Sequence, residues 1–224
     1  MSTTHLIRRV LILDDNPSLQ EDYILPIEAA DLTPVLANGP LGTLDEFLRN
    51  TIDVDAAISD YQLAPGNYAS FDGADLVSAW YKRHFPAVLC TSFNKSNAPQ
   101  FRALRRWIPV IMSPHELDPD SLVHGLQLVN NEFEGDFTPA RKPWRALVRF
   151  VEFDEATNTA NAKVPGWANE VVAMWSKDLP DGLLAALRSA FTHGDEFRCF
   201  AIANLGAESN EELYLTSWSG YEND

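Results

Sequence analysis

The sequence predicts an α/β fold: a doubly wound five-stranded parallel sheet, followed by a small, mostly antiparallel β sheet or barrel with one helix. Three observations carry this. Before residue 134, short unbroken apolar runs alternate with helical patterns, and unbroken apolar runs suit strands buried on both faces. The stretch 134–143, EGDFTPARKP, is rich in Pro, Gly and charge and reads as a linker. Beyond it the runs alternate in polarity and are joined by short turns, as in an antiparallel sheet. The expected organisation is therefore a domain over 1–133, a linker over 134–144 and a β-rich module over 145–224.

The five strands expected in the first domain lie at residues 10–13, 35–37, 56–58, 87–90 and 108–112. Helices fall between them. Asn16-Pro17 reads as a cap followed by Pro at the first helical position. Pro26 is discordant within that helix and predicts a kink or an early end. Leu41, Leu44, Phe47 and Leu48 have helical spacing, as do Leu76, Trp80 and Tyr81. Phe101, Leu104 and Arg105 suit a fourth helix. Asp118-Pro119 opens a fifth, with Leu122, Leu126 and Val129 on one face. Five such βα units make an open doubly wound sheet.

In the module, residues 146–153 and 158–164 read as a hairpin and 170–175 as a third strand. Asp181 is expected to cap a helix carrying Leu183, Leu184, Leu187 and Phe191, and residues 196–203 and 212–218 are the last two strands. Trp167 is expected to cover the small sheet.

Charge limits the function classes. The chain has 224 residues, 32 acidic against 17 basic, and a net charge of −15. Through residue 140 there are 9 basic and 19 acidic residues, net −10, and the remainder has 8 and 13, net −5. Neither half has the basic balance that phosphate binding needs, so coating of nucleic acid is disfavoured. No run reaches the roughly 18 apolar residues of a membrane span. Cys90 and Cys199 lie far apart and read as buried free thiols of a reducing cytoplasm.

The chemistry lies at strand ends. Asp14-Asp15 follows the first run, Asp60 ends the third, and Thr91-Ser92 follow the fourth. In an open α/β sheet, residues just past the carboxyl ends of neighbouring strands share one crevice. In the order 2-1-3-4-5, three carboxylates and a hydroxyl would meet there. Such carboxylates repel unless a cation joins them, and hard oxygen ligands with room for water suit Mg²⁺. A carboxylate beside Mg²⁺ can act as a nucleophile toward phosphorus.

These residues give the segment 8–130 a resemblance to the receiver domain of bacterial two-component response regulators. It rests on Asp14-Asp15, Asp60, Asp72-Gly73 opening the third helix, and Thr91. The resemblance implies a flavodoxin-like sheet and Mg²⁺ held by Asp14, Asp15, Asp60 and the backbone carbonyl of Gln62. It implies a phosphoacceptor at Asp60 and a switch hydroxyl at Thr91. The donor would be a histidine kinase or a phosphotransfer protein. The chain departs from the family in three places. Ser113 stands where a Lys before a Pro is expected, Val110 where a switch aromatic is expected, and the loop over residues 63–71 is long. The Lys would have paired with the phosphoryl group. Lys95 is a candidate substitute charge.

Arg102, Arg105 and Arg106, at helical spacing, read as a solvated face or a partner contact. Arg141, Lys142, Arg145 and Arg149 form a second basic cluster, expected to dock the linker against the acidic domain. The five histidines have no metal-ligand spacing, and no Gly-rich phosphate loop or Ser-His-Asp order occurs.

The leading expectation is thus a cytoplasmic signalling protein, not a conventional enzyme. Its output would run through a protein partner or a homodimer, since the module lacks the helices of a helix-turn-helix. Two alternatives stand beside it. One is a degenerate receiver that binds independently of phosphorylation. The other is a Mg²⁺-dependent phosphohydrolase, which would place an acid two residues after its nucleophile. Gln62 and Asn16 occupy those positions.

Overall fold

The structure is a computed structural model, and it describes residues 6–50, 52–91 and 102–221. The chain forms two compact units. The first comprises Met1–Phe93 with Trp107–Asp136, the second Asn94–Arg106 with Phe137–Asp224.

The first unit runs β1 (Arg9–Leu13), α1 (Pro17–Ala29), β2 (Thr33–Leu36), α2 (Leu44–Arg49), β3 (Ala56–Asp60), α3 (Gly73–Tyr81), β4 (Ala87–Cys90), β5 (Ile111–Met112) and α4 (Pro119–Phe133). The sheet order is β2-β1-β3-β4-β5 and every pairing is parallel. The central strands are apolar because both faces are covered: Val10, Ile12, Ile58 and Val88 are fully buried. Tyr23 and Ile27 of α1 and Leu122 and Leu126 of α4 pack on one side of them.

The sequence expectations hold with local changes. Asn16 accepts from the N–H of Ser18 and caps α1, and Asp118 accepts from Ser121 and caps α4. Thr43 and Glu46 form a capping box that starts α2, so Leu41 lies before the helix. Helix α1 runs past Pro26 to Ala29. The bond that Pro26 cannot donate would have gone to the carbonyl of Asp22, an exposed residue whose backbone water can serve. Strand β5 keeps only two of its five expected residues. Pro109 has no N–H for the ladder, although Ile108 remains fully buried. Phe101 lies outside the described residues, Leu104 is in a turn, and Arg105–Trp107 forms a single 3₁₀ turn.

The second unit holds β6 (Trp144–Asp154), β7 (Thr159–Val164), β8 (Ala168–Trp175), α5 (Asp181–His193), β9 (Phe197–Ala203) and β10 (Leu215–Ser219). The order is β10-β9-β6-β7-β8, antiparallel throughout. Helix α5 lays Leu183 and Leu187 on a core of Val148, Phe150, Ala162, Val172 and Ala201. Pro180, not Asp181, occupies its N-cap, and Gly194 ends it at φ 77°, a left-handed turn that glycine adopts without a Cβ clash. Trp167 packs on this core and donates its indole N–H to the carbonyl of Ala207 at 2.7 Å.

Arg102 is a correction to the sequence reading. It is neither a solvated face nor an exposed partner contact, being only 3% exposed. Its guanidinium donates to the carbonyls of Ala173 (3.0 Å), Asn210 (2.9 Å) and Leu213 (2.7 Å), and to the Asn210 side chain. Arg141, also buried, donates to the carbonyls of Arg105 and Arg106. The residues between β4 and Trp107 thus include a piece of the second unit. Both cysteines are free and buried, and among the described residues no helix is long and apolar enough to cross a membrane.

Candidate functional site

Strand β1 delivers Asp14 to the carboxyl edge of the sheet, and β3 delivers Asp60 beside it. Asp14 is 1% exposed. Its Oδ1 accepts from the N–H of Asn16 at 2.8 Å, while its Oδ2 is buried without a hydrogen-bond partner. Asp15 is half-buried. The Oδ2 of Asp60 accepts from the N–H of Gln62 at 2.8 Å. Thr91, at the end of β4, is buried and donates its backbone N–H to Met112 of β5 at 2.9 Å.

Electrostatics ties the carboxylates together. Burial, then the charges of Asp60 and Asp15, push the Asp14 carboxyl up to about 6. Burial, then the charge of Asp15, raises that of Asp60. Like charges and desolvation both disfavour ionisation of these carboxyls.

Gly73 sets the position of Asp60. The first turn of α3 lies so close that a Cβ on Gly73 would stand 1.7 Å from the Asp60 carbonyl oxygen and 2.6 Å from Ser59 Oγ. Gly73 donates its N–H to the carbonyl of Tyr61 at 2.8 Å. The Asp72-Gly73 pair therefore lets a helix start directly against the acidic strand end.

Several residues around the site were not singled out by sequence reasoning. Gln20 donates its amide to the carbonyl of Asp14 at 2.6 Å. Tyr68, from the long loop, donates to the carbonyl of Ala37 at 2.7 Å, and a cleft of about 400 Å³ opens between it and the Asp14-Asp15 turn. Below Asp14, the Tyr23 hydroxyl is buried beside Asp14 and Cys90, and burial pushes the Cys90 thiol up to about 12. Helical spacing alone marks Tyr23 and Gln20 as core, and nothing in it points to the acids.

The Ser113 N–H donates to the Glu116 carboxylate at 2.8 Å, and the pair caps a short turn over Pro114–Glu116. Ser92 and Lys95 lie outside the described residues.

The Mg²⁺ that the resemblance implies can be tested against these groups. Among the described residues, no three His, Cys, Asp or Glu side chains form a ready-made metal cage. Mg²⁺ does not need one, because it keeps several waters and takes one or two carboxylates. The orphaned Oδ2 of Asp14, the raised carboxyls and the cleft beside them fit such an ion.

The sign of the pH effect follows. The native state binds the Asp14 proton more tightly than the unfolded chain, so this group's contribution to stability falls as pH rises from about 4 to about 6. Asp14→Asn is therefore expected to stabilise the metal-free protein at pH 7.5, by about 1–2 kcal/mol, and to change little at pH 4. Thermal unfolding at the two pH values checks this. An unchanged or lowered melting temperature at pH 7.5 contradicts it.

No family model and no curated protein matches the chain. Solved structures similar to it include a response regulator receiver domain protein from Clostridium thermocellum, at 15% identity and a TM-score of 0.42, covering 57% of this chain and 98% of that one. A CheY-like receiver domain protein from Methanospirillum hungatei is 16% identical, with a TM-score of 0.42 and coverage of 58% and 99%. The signal receiver domain of an HD domain-containing protein from Pseudomonas fluorescens is 15% identical, with a TM-score of 0.44 and coverage of 61% and 96%. By its own strand order the first unit is a flavodoxin-like doubly wound sheet, with acids at the ends of β1 and β3 and a hydroxyl after β4.

Proposed function

We propose that the chain is a response-regulator-like signalling protein whose first unit takes a phosphoryl group on Asp60 with Mg²⁺ bound. The supporting observation is Asp14, a buried carboxylate with an unpaired Oδ2, set against the like charges of Asp60 and Asp15. Asp14, Asp15, Asp60 and the Gln62 carbonyl would hold the metal, which supplies positive charge against the oxygens of the transferred group. The Asp60 carboxylate attacks phosphorus, the bond to a phosphohistidine nitrogen breaks, and its electron pair leaves with that nitrogen. The Asn16 and Gln62 N–H groups hold the two carboxylates in place. Thr91, which follows the neighbouring strand β4, would supply the hydroxyl that bonds the phosphoryl oxygens.

The donor in this reading is a histidine kinase or a phosphotransfer protein, and the output runs through protein contacts in the cytoplasm. The reaction is a partial one, with no turnover of a diffusible substrate, so the chain is not a conventional enzyme. The Ser113–Glu116 cap favours a second reading. With Ser113 where the resemblance expects a Lys, and its N–H turned to Glu116, the unit would act as a binding module that is never phosphorylated.

Incubation with Mg²⁺ and a small phosphodonor, followed by intact-mass measurement, separates the two. We expect a single phosphoryl adduct that Asp60→Asn abolishes. No adduct, together with no effect of Mg²⁺ and beryllofluoride on tryptophan fluorescence, would favour the pseudo-receiver. Steady phosphate release from a diffusible ester would favour a phosphohydrolase.

A further inference from the structure

The second unit has a sheet with one face under α5 and its core, and another face turned outward. Along β6, Arg145, Leu147, Arg149 and Val151 point away from the buried Ala146, Val148 and Phe150. Along β9, Arg198, Phe200 and Ile202 alternate with the buried Cys199, Ala201 and Ala203. The register pairs Arg149 with Arg198 on one side and with Lys163 of β7 on the other. Three cations thus stand side by side across three strands, a row about 10 Å wide at the usual strand spacing.

Like charges directly opposite one another destabilise a sheet. Here they occur in a chain with nearly twice as many acids as bases. Glu196 bridges Arg149 and Arg198, Lys163 donates to the Asn169 side chain, and the exposed Glu152 lies farther along β6, so two carboxylates face three cations and the row keeps one net positive charge. Apolar side chains flank it. Leu147 pairs with Phe200 two residues along, Val151 lies on the other side, and Val171 is on β8. Leu147, Val151 and Val171 are 39–47% exposed.

We propose that this face docks an acidic protein partner, one that sets carboxylates against the Arg198–Arg149–Lys163 row and apolar side chains against Leu147 and Val151. Charge complementarity chooses the partner's sign, and the exposed aliphatic groups choose a polypeptide. A nucleic acid fits less well. The Phe200 ring, which could have stacked a base, is already covered by the Arg145 guanidinium at 3.6 Å. A symmetric pairing of two copies through this face would set the cation rows against each other. The proposal names the output contact of the reading above, yet it can be tested without phosphorylation.

The test uses the whole chain, without Mg²⁺ or phosphodonor. The probe is a fluorescein-labelled 14-residue peptide of Asp and Glu interspersed with Leu and Phe, followed by fluorescence anisotropy. We expect saturable binding that weakens about tenfold or more in Arg149→Glu/Lys163→Glu. Leu147→Ser should weaken it separately, with circular dichroism unchanged in both. No saturable binding, or equal binding by both variants, overturns the proposal. Tighter binding of an oligothymidylate overturns it in favour of nucleic acid. Self-association in sedimentation that the double variant abolishes overturns it in favour of a second copy of the chain.

Discussion

Replacing Arg102 with alanine is expected to destabilise the second unit by about 3–5 kcal/mol, enough to unfold a small β module on its own. The guanidinium is buried and donates to three backbone carbonyls and an amide oxygen drawn from β8 and from the chain just before β10. Its desolvation lowers its own pKa to about 10, with the Glu211 charge opposing the shift. Removing it leaves buried acceptors without donors, and each such orphan costs about 1–3 kcal/mol. Lysine cannot rescue the site, because one ammonium does not reproduce a planar fork aimed at several carbonyls. Hydrogen exchange of the full chain reads the outcome. Arg102→Ala and Arg102→Lys should lose protection in β8 and β10 while β1 and β3 stay protected. Unchanged protection in β8 would show that the guanidinium does not hold the unit together. A chain begun at residue 137 lacks this anchor and should be less stable than the same residues in the full protein.

Gly73→Ala should be the most damaging small change in the first unit. A Cβ there would sit 1.7 Å from a backbone oxygen, a contact that only movement of α3 or β3 can relieve. A cost on the order of 3 kcal/mol or more is expected, with loss of any Mg²⁺ response because Asp60 moves with its carbonyl. Gly135→Ala is the control. Gly135 has a positive φ of 85° but nothing within 4 Å of a would-be Cβ, so only backbone strain of about 1–2 kcal/mol applies. Denaturant unfolding compares the two, and equal costs would refute the steric argument.

Much of the first unit was legible in sequence because its physics is local and repetitive. Strands covered on both faces must be apolar throughout, so the runs at Val10, Ile58 and Val88 could be counted. Parallel strands then deliver whatever follows them to one edge, so the sequence alone groups Asp14, Asp60 and Thr91. Two of the local departures have one-residue reasons. Pro109 cut β5 short, and the solvent-facing Asp22 carbonyl let α1 continue beyond Pro26.

The sequence by itself determined the alternation of strands and helices, the acidic strand ends and a serine, not a lysine, at position 113. Each depends on neighbours a few residues away, or on the fixed geometry of a parallel sheet. Only the tertiary structure decided that Arg102 is buried, that Tyr23 and Gln20 underlie the acids, and that Arg149 stands between Arg198 and Lys163. A charged side chain looks the same in sequence whether it meets water or a set of carbonyls more than seventy residues away. The balance between hydration and those bonds is settled by which surfaces the folded chain brings together.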